Sequence, residues 1–257
     1  MGLKIKLNSV LYRTIKNLAN TKGYTFTKNY DQVIDRDEKF MEIYNKYKEY
    51  TMTTKERMYA LYKSIKYIID SKIPGDFVEC GVWRGGSAMI IAHTLLELNV
   101  KNRKIHLYDT FEGMSKPTEK DYIVANKKAR AIDIWKKKQK KGFNQWAYSS
   151  LDEVKKNMYS MGYPKNNLIF IKGKVEETIP KSIPKKIALL RLDTDFYEST
   201  KHELINLFPL LEKKGILIID DYGCWAGSKI ATDEYFSDKP ILFNRIDSSA
   251  IICIKTN

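Results

Sequence analysis

The chain has 257 residues, enough for one full α/β core with decorations and too few for a second independent domain of similar size. No apolar run approaches the roughly 18 residues that span a bilayer, and the first residues lack the long apolar core of a signal peptide, so a cytoplasmic protein is expected. Three cysteines without metal-ligand spacing argue against a disulfide framework, while 45 basic against 31 acidic side chains leave a formal charge of +14, which attracts polyanions or acidic surfaces but names none.

Residues 1 to 53 are basic and aromatic without a strand pattern, and read as a helical extension with a polar break near residues 21 to 30. From residue 54 to 257 a single domain is expected. Thr53 or Thr54 is placed to cap a helix whose apolar face carries Met58, Leu61, Ile65 and Ile68 at three- and four-residue spacing, and Pro74 and Gly75 stop it. The stretch DFVECGVWRGGSAMIIAHTL, residues 76 to 95, then joins a short apolar strand to an apolar helix through a glycine-rich turn. Such a turn lets main-chain N–H groups approach a ligand at a helix N-terminus. Trp83 stands where a dinucleotide fingerprint has its second glycine, and Glu79 precedes the first. An acidic residue followed by Gly81 suits the cationic S-adenosylmethionine better than a pyrophosphate; a turn that only packs strand on helix is the alternative.

Strands are predicted at 77–80, 104–108, 168–171, 187–192 and 215–219, and helices at 87–98, 151–161, 197–211 and 230–236. Their alternation implies a parallel sheet covered on both faces. The last two apolar runs, 241–246 and 250–254, flank an Asp247-Ser248-Ser249 turn and must pair antiparallel. Residues 113 to 148 interrupt the rhythm as a long polar, lid-like insertion. Its lysine cluster, residues 136 to 141, reads as a solvated loop.

Ligands of open α/β sheets bind beyond the C-terminal strand ends. Acids stand at four of these ends: Glu79, Asp109, Asp193, and Asp220 with Asp221. Asp109, thirty residues after Glu79, fits an acceptor of ribose hydroxyls, with a cap or turn role as the alternative. Three carboxylates from Asp193, Asp220 and Asp221 at one sheet end repel unless a cation joins them. Hard oxygen ligands without neighbouring His or Cys favour Mg²⁺, with Mn²⁺ or Ca²⁺ as substitutes, over zinc. The bland reading has Asp220 and Asp221 opening a turn and Asp193 capping the next helix. Asp195 is a second-rank ligand. His202 falls one turn into a helix and reads as packing.

These residues resemble the macrocin and mycinamicin sugar O-methyltransferases, a metal-dependent class I group. The likeness runs through FVECGVWRGGS, YDTFEGM at 108 to 114, SLDEV at 150 to 154, IKGKVEETIP at 171 to 180, LLRLDTDFYESTKHELINLFPLLEKKGILIIDDYG at 189 to 223 and DEYF, covering roughly residues 54 to 240. It implies a Rossmann-like class I fold with a mostly parallel seven-stranded sheet and a C-terminal antiparallel hairpin. It also implies methyl transfer from S-adenosylmethionine to a sugar hydroxyl, with Mg²⁺ on Asp193, Asp220 and Asp221 and with Asp193 also serving in proton transfer. The implied donor site takes Glu79, Cys80, Gly81 and Ser87 near the methionine part, and Asp109, Thr110 and Phe111 on the adenosine. Ser149, Ser150, Lys172, Gly173 and Lys174 complete its rim. Lys174 departs from the aromatic residue of the relatives, which passes adenine stacking to Phe111 or Trp146. The lysines and tryptophans of the insertion suggest an acidic or phosphorylated glycan acceptor, and a homo-oligomer is expected. Two rivals stand beside this reading: a nucleic-acid methyltransferase using the basic surface, against which the lack of proline in Asp193-Thr194-Asp195-Phe196 counts, and a non-catalytic binding protein.

Overall fold

The structure, a computed structural model, describes residues 33–256. Contacts divide the chain into two compact units, Met1–Met41 and Glu42–Asn257. The expected break near residues 21 to 30 lies outside the described residues. A helix, α1 (Glu38–Tyr47), is followed by α2 (Lys55–Asp70), whose N-cap is Thr54: its hydroxyl accepts the Arg57 N–H at 3.2 Å. Met58, Leu61, Ile65 and Ile68 of α2 are all buried, as their spacing requires.

Then come β1 (Asp76–Cys80), α3 (Gly86–Glu97) and β2 (Ile105–Asp109). The insertion follows as β3 (Tyr122–Ile123), β4 (Asn126–Arg130), α4 (Ala131–Lys138), β5 (Gln139–Lys140) and β6 (Phe143–Asn144). The remaining elements are α5 (Leu151–Tyr159), β7 (Leu168–Lys172), α6 (Val175–Thr178), β8 (Ile187–Leu192), α7 (Tyr197–Leu207), β9 (Leu211–Ile219), α8 (Ala226–Tyr235), β10 (Asn244–Arg245) and β11 (Ile251–Ile254).

Seven strands form one sheet in the order β10-β11-β9-β8-β1-β2-β7. All pairs from β9 to β7 are parallel, and β11 pairs antiparallel with both β9 and β10. The central strand β8 is buried at all six positions, as a strand covered on both faces must be. Predicted and observed elements differ mainly at ends. Helix α7 stops at Leu207 rather than 211 because Phe208-Pro209-Leu210 tightens into a 3₁₀ turn, after which β9 begins four residues earlier than expected. The insertion is more regular than a solvated loop: Lys136, Lys137 and Lys138 form the last turn of α4, and Lys140 and Lys141 lie in the β5–β6 hairpin, all exposed.

Candidate active site

From β1 the sheet extends to β2 and from β8 to β9, so strand order reverses between these two neighbours and a crevice opens at their C-terminal ends. Gly81, just beyond β1, has φ +82°, and a Cβ there would stand 2.0 Å from the Asp193 carbonyl oxygen. The Asp193 N–H donates to the Cys80 carbonyl at 2.8 Å, so the two strand ends are stitched together where only glycine fits. Beyond them lies a cavity of about 110 Å³, open to solvent, lined by Gly81, Trp83, Asp109, Gly173, Asp193 and Asp195 among others.

Asp109 organises the glycine turn. Its Oδ2 accepts the N–H groups of Val82 (2.7 Å) and Trp83 (3.1 Å), and its Oδ1 accepts that of Phe111 (2.7 Å). Burial pushes its pKa up, opposed by those three N–H donors. Trp83 therefore occupies a left-handed conformation, φ +47°, inside a turn held from β2.

Beneath the cavity runs a charged network that the strand pattern conceals. Arg191, in the interior of β8, is 2 % exposed; its Nη1 donates to Glu79 Oε1 at 2.6 Å and to Asp193 Oδ2 at 2.8 Å, and its Nη2 to Asp220 Oδ1 at 2.6 Å. Arg57 of α2 reaches the other oxygen of Asp220, and its Nε donates to Asp247 Oδ2 at 2.7 Å. Asp247 belongs to the turn before β11, whose Ser249 hydroxyl donates to the Asp220 carbonyl at 2.9 Å. The α2 helix and the C-terminal hairpin thus fix the direction of Asp220. Arg57 does not stand out in the sequence, and Asp247 does so only as a turn residue. Arg191 does, as the sole charge in IALLRL.

The geometry divides the four acids differently from the sequence expectation. Oxygens of Asp193, Asp195 and Asp221 lie within 4.8 Å of one another, whereas Asp220 is shared by two guanidinium groups. Burial pushes the carboxyls of Asp193 and Asp221 well above the usual range, with the neighbouring acids adding to the shift, and raises that of Asp195 to about 7. Asp221 Oδ2 is buried and finds no hydrogen-bond partner. A group of mutually repelling carboxylates with an orphaned buried oxygen is a donor set that fits a hard divalent cation. Glu79, expected beside the donor, is buried outside the cavity lining and bonded to Arg191; burial raises its carboxyl to about 7, and its Oε2 lacks a partner.

Of the other residues expected at the donor site, Gly81, Asp109, Thr110, Gly173 and Lys174 line the cavity. Phe111, Ser150 and Lys172 line an adjoining groove instead. Cys80 belongs to the apolar core, and Ser149 is buried with its hydroxyl donating to Glu153 Oε2 at 3.0 Å, so neither faces the cavity. Ser87 is buried in the first turn of α3, outside the cavity lining. His202 bonds the Ile179 carbonyl at 2.8 Å, a packing role. The sequence also leaves Glu176 and Ser199 unmarked. They meet at 2.7 Å and both line the cavity.

An aromatic cluster packs behind the cavity, which it reaches through Trp146 and Met114. Trp146, Phe196 and Trp225 pack with ring centroids 5.5 to 6.0 Å apart, joined by Met114, Ile123 and Ile134 of the insertion. Asp121, fully buried, fastens the insertion to the start of α7: its Oδ1 accepts the Tyr197 N–H at 2.8 Å, and its Oδ2 accepts the Thr118 N–H and hydroxyl at 2.6 and 2.9 Å.

The sheet order, the antiparallel edge and the crevice at the β1–β8 ends define a class I methyltransferase fold. The model of the macrocin O-methyltransferase (TylF) family matches residues 8–253, and the chain belongs to that family. It is an O-methyltransferase dependent on S-adenosylmethionine. Demethyldecarbamoylnovobiocin O-methyltransferase of Streptomyces niveus is 31% identical over 186 residues, 72% of this chain and 67% of the relative. Mycinamicin III 3''-O-methyltransferase of Micromonospora griseorubida is 28% identical over 191 residues, 72% and 70% of the two chains. The structure of the O-methyltransferase NovP aligns with a TM-score of 0.71 at 29% identity, covering 81% of this chain and 83% of that one. The calicheamicin methyltransferase CalS11, at 18% identity with a TM-score of 0.55 over 97% and 94%, shares the fold.

Proposed function

We propose that the chain methylates a sugar hydroxyl on a glycan or glycosylated metabolite, with a divalent cation, Mg²⁺ or Mn²⁺, at the acidic cluster. The observation that carries this reading is the cluster itself: Asp193 and Asp195 line the donor cavity, buried Asp221 stands within 4.8 Å of them, and the three lack enough cationic partners to neutralise them. The relatives, a demethyldecarbamoylnovobiocin and a mycinamicin III 3''-O-methyltransferase, support an acceptor on a glycosylated compound.

A sugar hydroxyl is a very weak acid, and a bound divalent cation supplies the Lewis acidity that lowers its pKa and holds it in line with the methyl. Asp193 and Asp221 are assigned to hold that ion, which needs only one or two carboxylates besides water and substrate when it is Mg²⁺. Asp220 stays with its two arginines. Asp195 is the better proton acceptor than Asp193, because Asp193 is already bound by Arg191 whereas no salt bridge among the described residues reaches Asp195. As the sulfur–methyl bond breaks and the oxygen–methyl bond forms, the hydroxyl proton passes to Asp195 and S-adenosylhomocysteine leaves. Gly81 and the Asp109-held turn position the donor, and Trp146, backed by Phe196 and Trp225, gives the cavity an apolar border that disfavours water.

The test is a mass-spectrometric acceptor screen for a 14 Da gain (about one methylene) on nucleotide sugars, glycosylated small molecules and glycans, with Mg²⁺ or EDTA. Full activity in EDTA would falsify the metal assignment, and methylation of RNA in place of any sugar would overturn the acceptor class. Asp195→Asn is expected to lower kcat about 10²- to 10⁴-fold while Mn²⁺ binding, read by electron paramagnetic resonance, persists. Asp193→Asn should lose the Mn²⁺ signal.

A further inference from the structure

The insertion carries half of the chain's net charge: residues 113 to 148 contain ten basic and three acidic side chains. Lys120 of the insertion is paired with Glu234, as Lys172 is with Glu112 and Lys229 with Asp233. Seven other lysines of the insertion are not. Lys127 and Lys128 of β4, Lys136 to Lys138 of α4, and Lys140 and Lys141 of the hairpin are exposed, and no carboxylate among the described residues lies within 4.0 Å of any of them. One of the three acids, Asp121, is fully buried and fully occupied in fastening the insertion down. Such a cationic face raises the local concentration of polyanions.

The same hairpin borders the groove beside the donor cavity. Lys141, Phe143, Tyr148 and Ser150 line it, and Phe111 and Glu112 connect the groove to Thr110 and Gly113 of the cavity. Phe143 and Tyr148 pack at 4.7 Å with planes 42° apart, and Tyr148 is 41% exposed. Sugar rings present apolar C–H faces that bury well on aromatic rings. The two acids in the groove do not repel an anion strongly: Glu112 is paired with Lys172, and Asp152 sits in the first turn of α5, where the helix dipole offsets it.

We propose that this face binds an acidic oligosaccharide. Its rings lie along the Phe143–Tyr148 platform and its carboxylate, sulfate or phosphate groups meet Lys136 to Lys141, which leads one sugar of the chain into the cavity. The inference rests on the sugar reading of the acceptor and adds to it that the acceptor is an anionic polymer. A single-stranded nucleic acid would use the same lysines and rings, and an anionic membrane the lysines alone; the aromatic platform joined to a sugar-methylating cavity favours the glycan.

The experiment reads binding rather than turnover. Fluorescein-labelled oligogalacturonate, neutral malto-oligosaccharide and poly(U) of matched length are titrated with the full-length protein by anisotropy at several salt concentrations, and phosphatidylglycerol vesicles are tested by sedimentation. Oligogalacturonate is expected to bind, malto-oligosaccharide at least about tenfold more weakly, and the former to weaken steeply with salt. Replacing Lys136, Lys137, Lys138, Lys140 and Lys141 together by Gln should weaken it roughly tenfold or more and flatten the salt dependence, while S-adenosylhomocysteine binding stays at wild-type level and certifies the fold. Tyr148→Ala should weaken binding without changing the salt slope. Unaltered binding by the Gln variant overturns the proposal, as does tighter binding of poly(U) or of vesicles than of oligogalacturonate. Failure of the acceptor screen with intact glycan binding would instead count against the catalytic reading.

Discussion

Arg191 shows how much one side chain decides here. Its guanidinium bonds three carboxylates from three strand ends, at Glu79, Asp193 and Asp220. Removing it leaves Glu79 buried without its cation and Asp220 with Arg57 alone, so Arg191→Met is expected to destabilise the fold by about 3–5 kcal/mol in urea unfolding. Arg191→Lys keeps a charge without the planar fork and should fall between the two. Gly81 is equally intolerant: with φ +82° and a Cβ that would meet the Asp193 carbonyl, Gly81→Ala has to part β1 from β8. The expected result is loss of donor binding in calorimetry together with a lowered Tm.

Asp195 makes a prediction about pH. Unfolded, its carboxyl ionises near 4; in the fold, burial holds the proton to about 7. Between those values the folded chain binds more protons than the unfolded one. Stability from this group is therefore whole below about pH 4 and is lost as pH rises through about 7. Metal-free protein should lose Tm across that window relative to Asp195→Asn, and Mg²⁺ should reverse the loss. Thermal unfolding in EDTA and in Mg²⁺, from about pH 5 to 8, checks it; identical pH profiles for the two proteins would sink it.

At the scale of elements, the insertion is docked rather than draped. A Cβ on Gly113 would stand 1.9 Å from the Asn144 carbonyl, Val124 N–H donates to the Cys224 carbonyl at 2.9 Å, and Asp121 ties the segment to the N-terminus of α7. That terminus follows directly on Asp193 and Asp195, so a loosened insertion should disturb the acceptor side before the donor side. Asp121→Ala is expected to raise acceptor KM and speed proteolysis within residues 113 to 148, while S-adenosylhomocysteine affinity changes little. The sequence shows this segment as an interruption because its strands are two to five residues long and its single helix has eight. Its apolar residues answer to Phe196 and Trp225, far along the chain, and so leave no local period.

For the whole molecule, the proposed donor and metal sites lie between strands that are distant in sequence, so ligands should couple to global stability. S-adenosylhomocysteine at about one hundred times its Kd adds about 2.7 kcal/mol, which for a chain of this size is a Tm rise of roughly 5–10 °C. Calorimetric scans with and without ligand measure it.

The chain by itself determined what depends on local chemistry: the apolar run IALLRL as a strand, Thr53 or Thr54 as a cap, Gly81 at a turn, and the tight Asp247 turn that forces β10 and β11 antiparallel. It also put acids at the strand ends, since a carboxylate after an apolar strand is visible in the string. Only the tertiary structure decided what each acid does. Asp109 turned out to be occupied by the backbone of the glycine turn, Asp220 by arginines that lie 29 and 163 positions away, and Asp195 to stand with Asp193 and Asp221. The reason is physical: a strand end fixes where a side chain begins, but the partner that neutralises a buried charge comes from whichever element packs against it, and that choice is made in space rather than along the sequence.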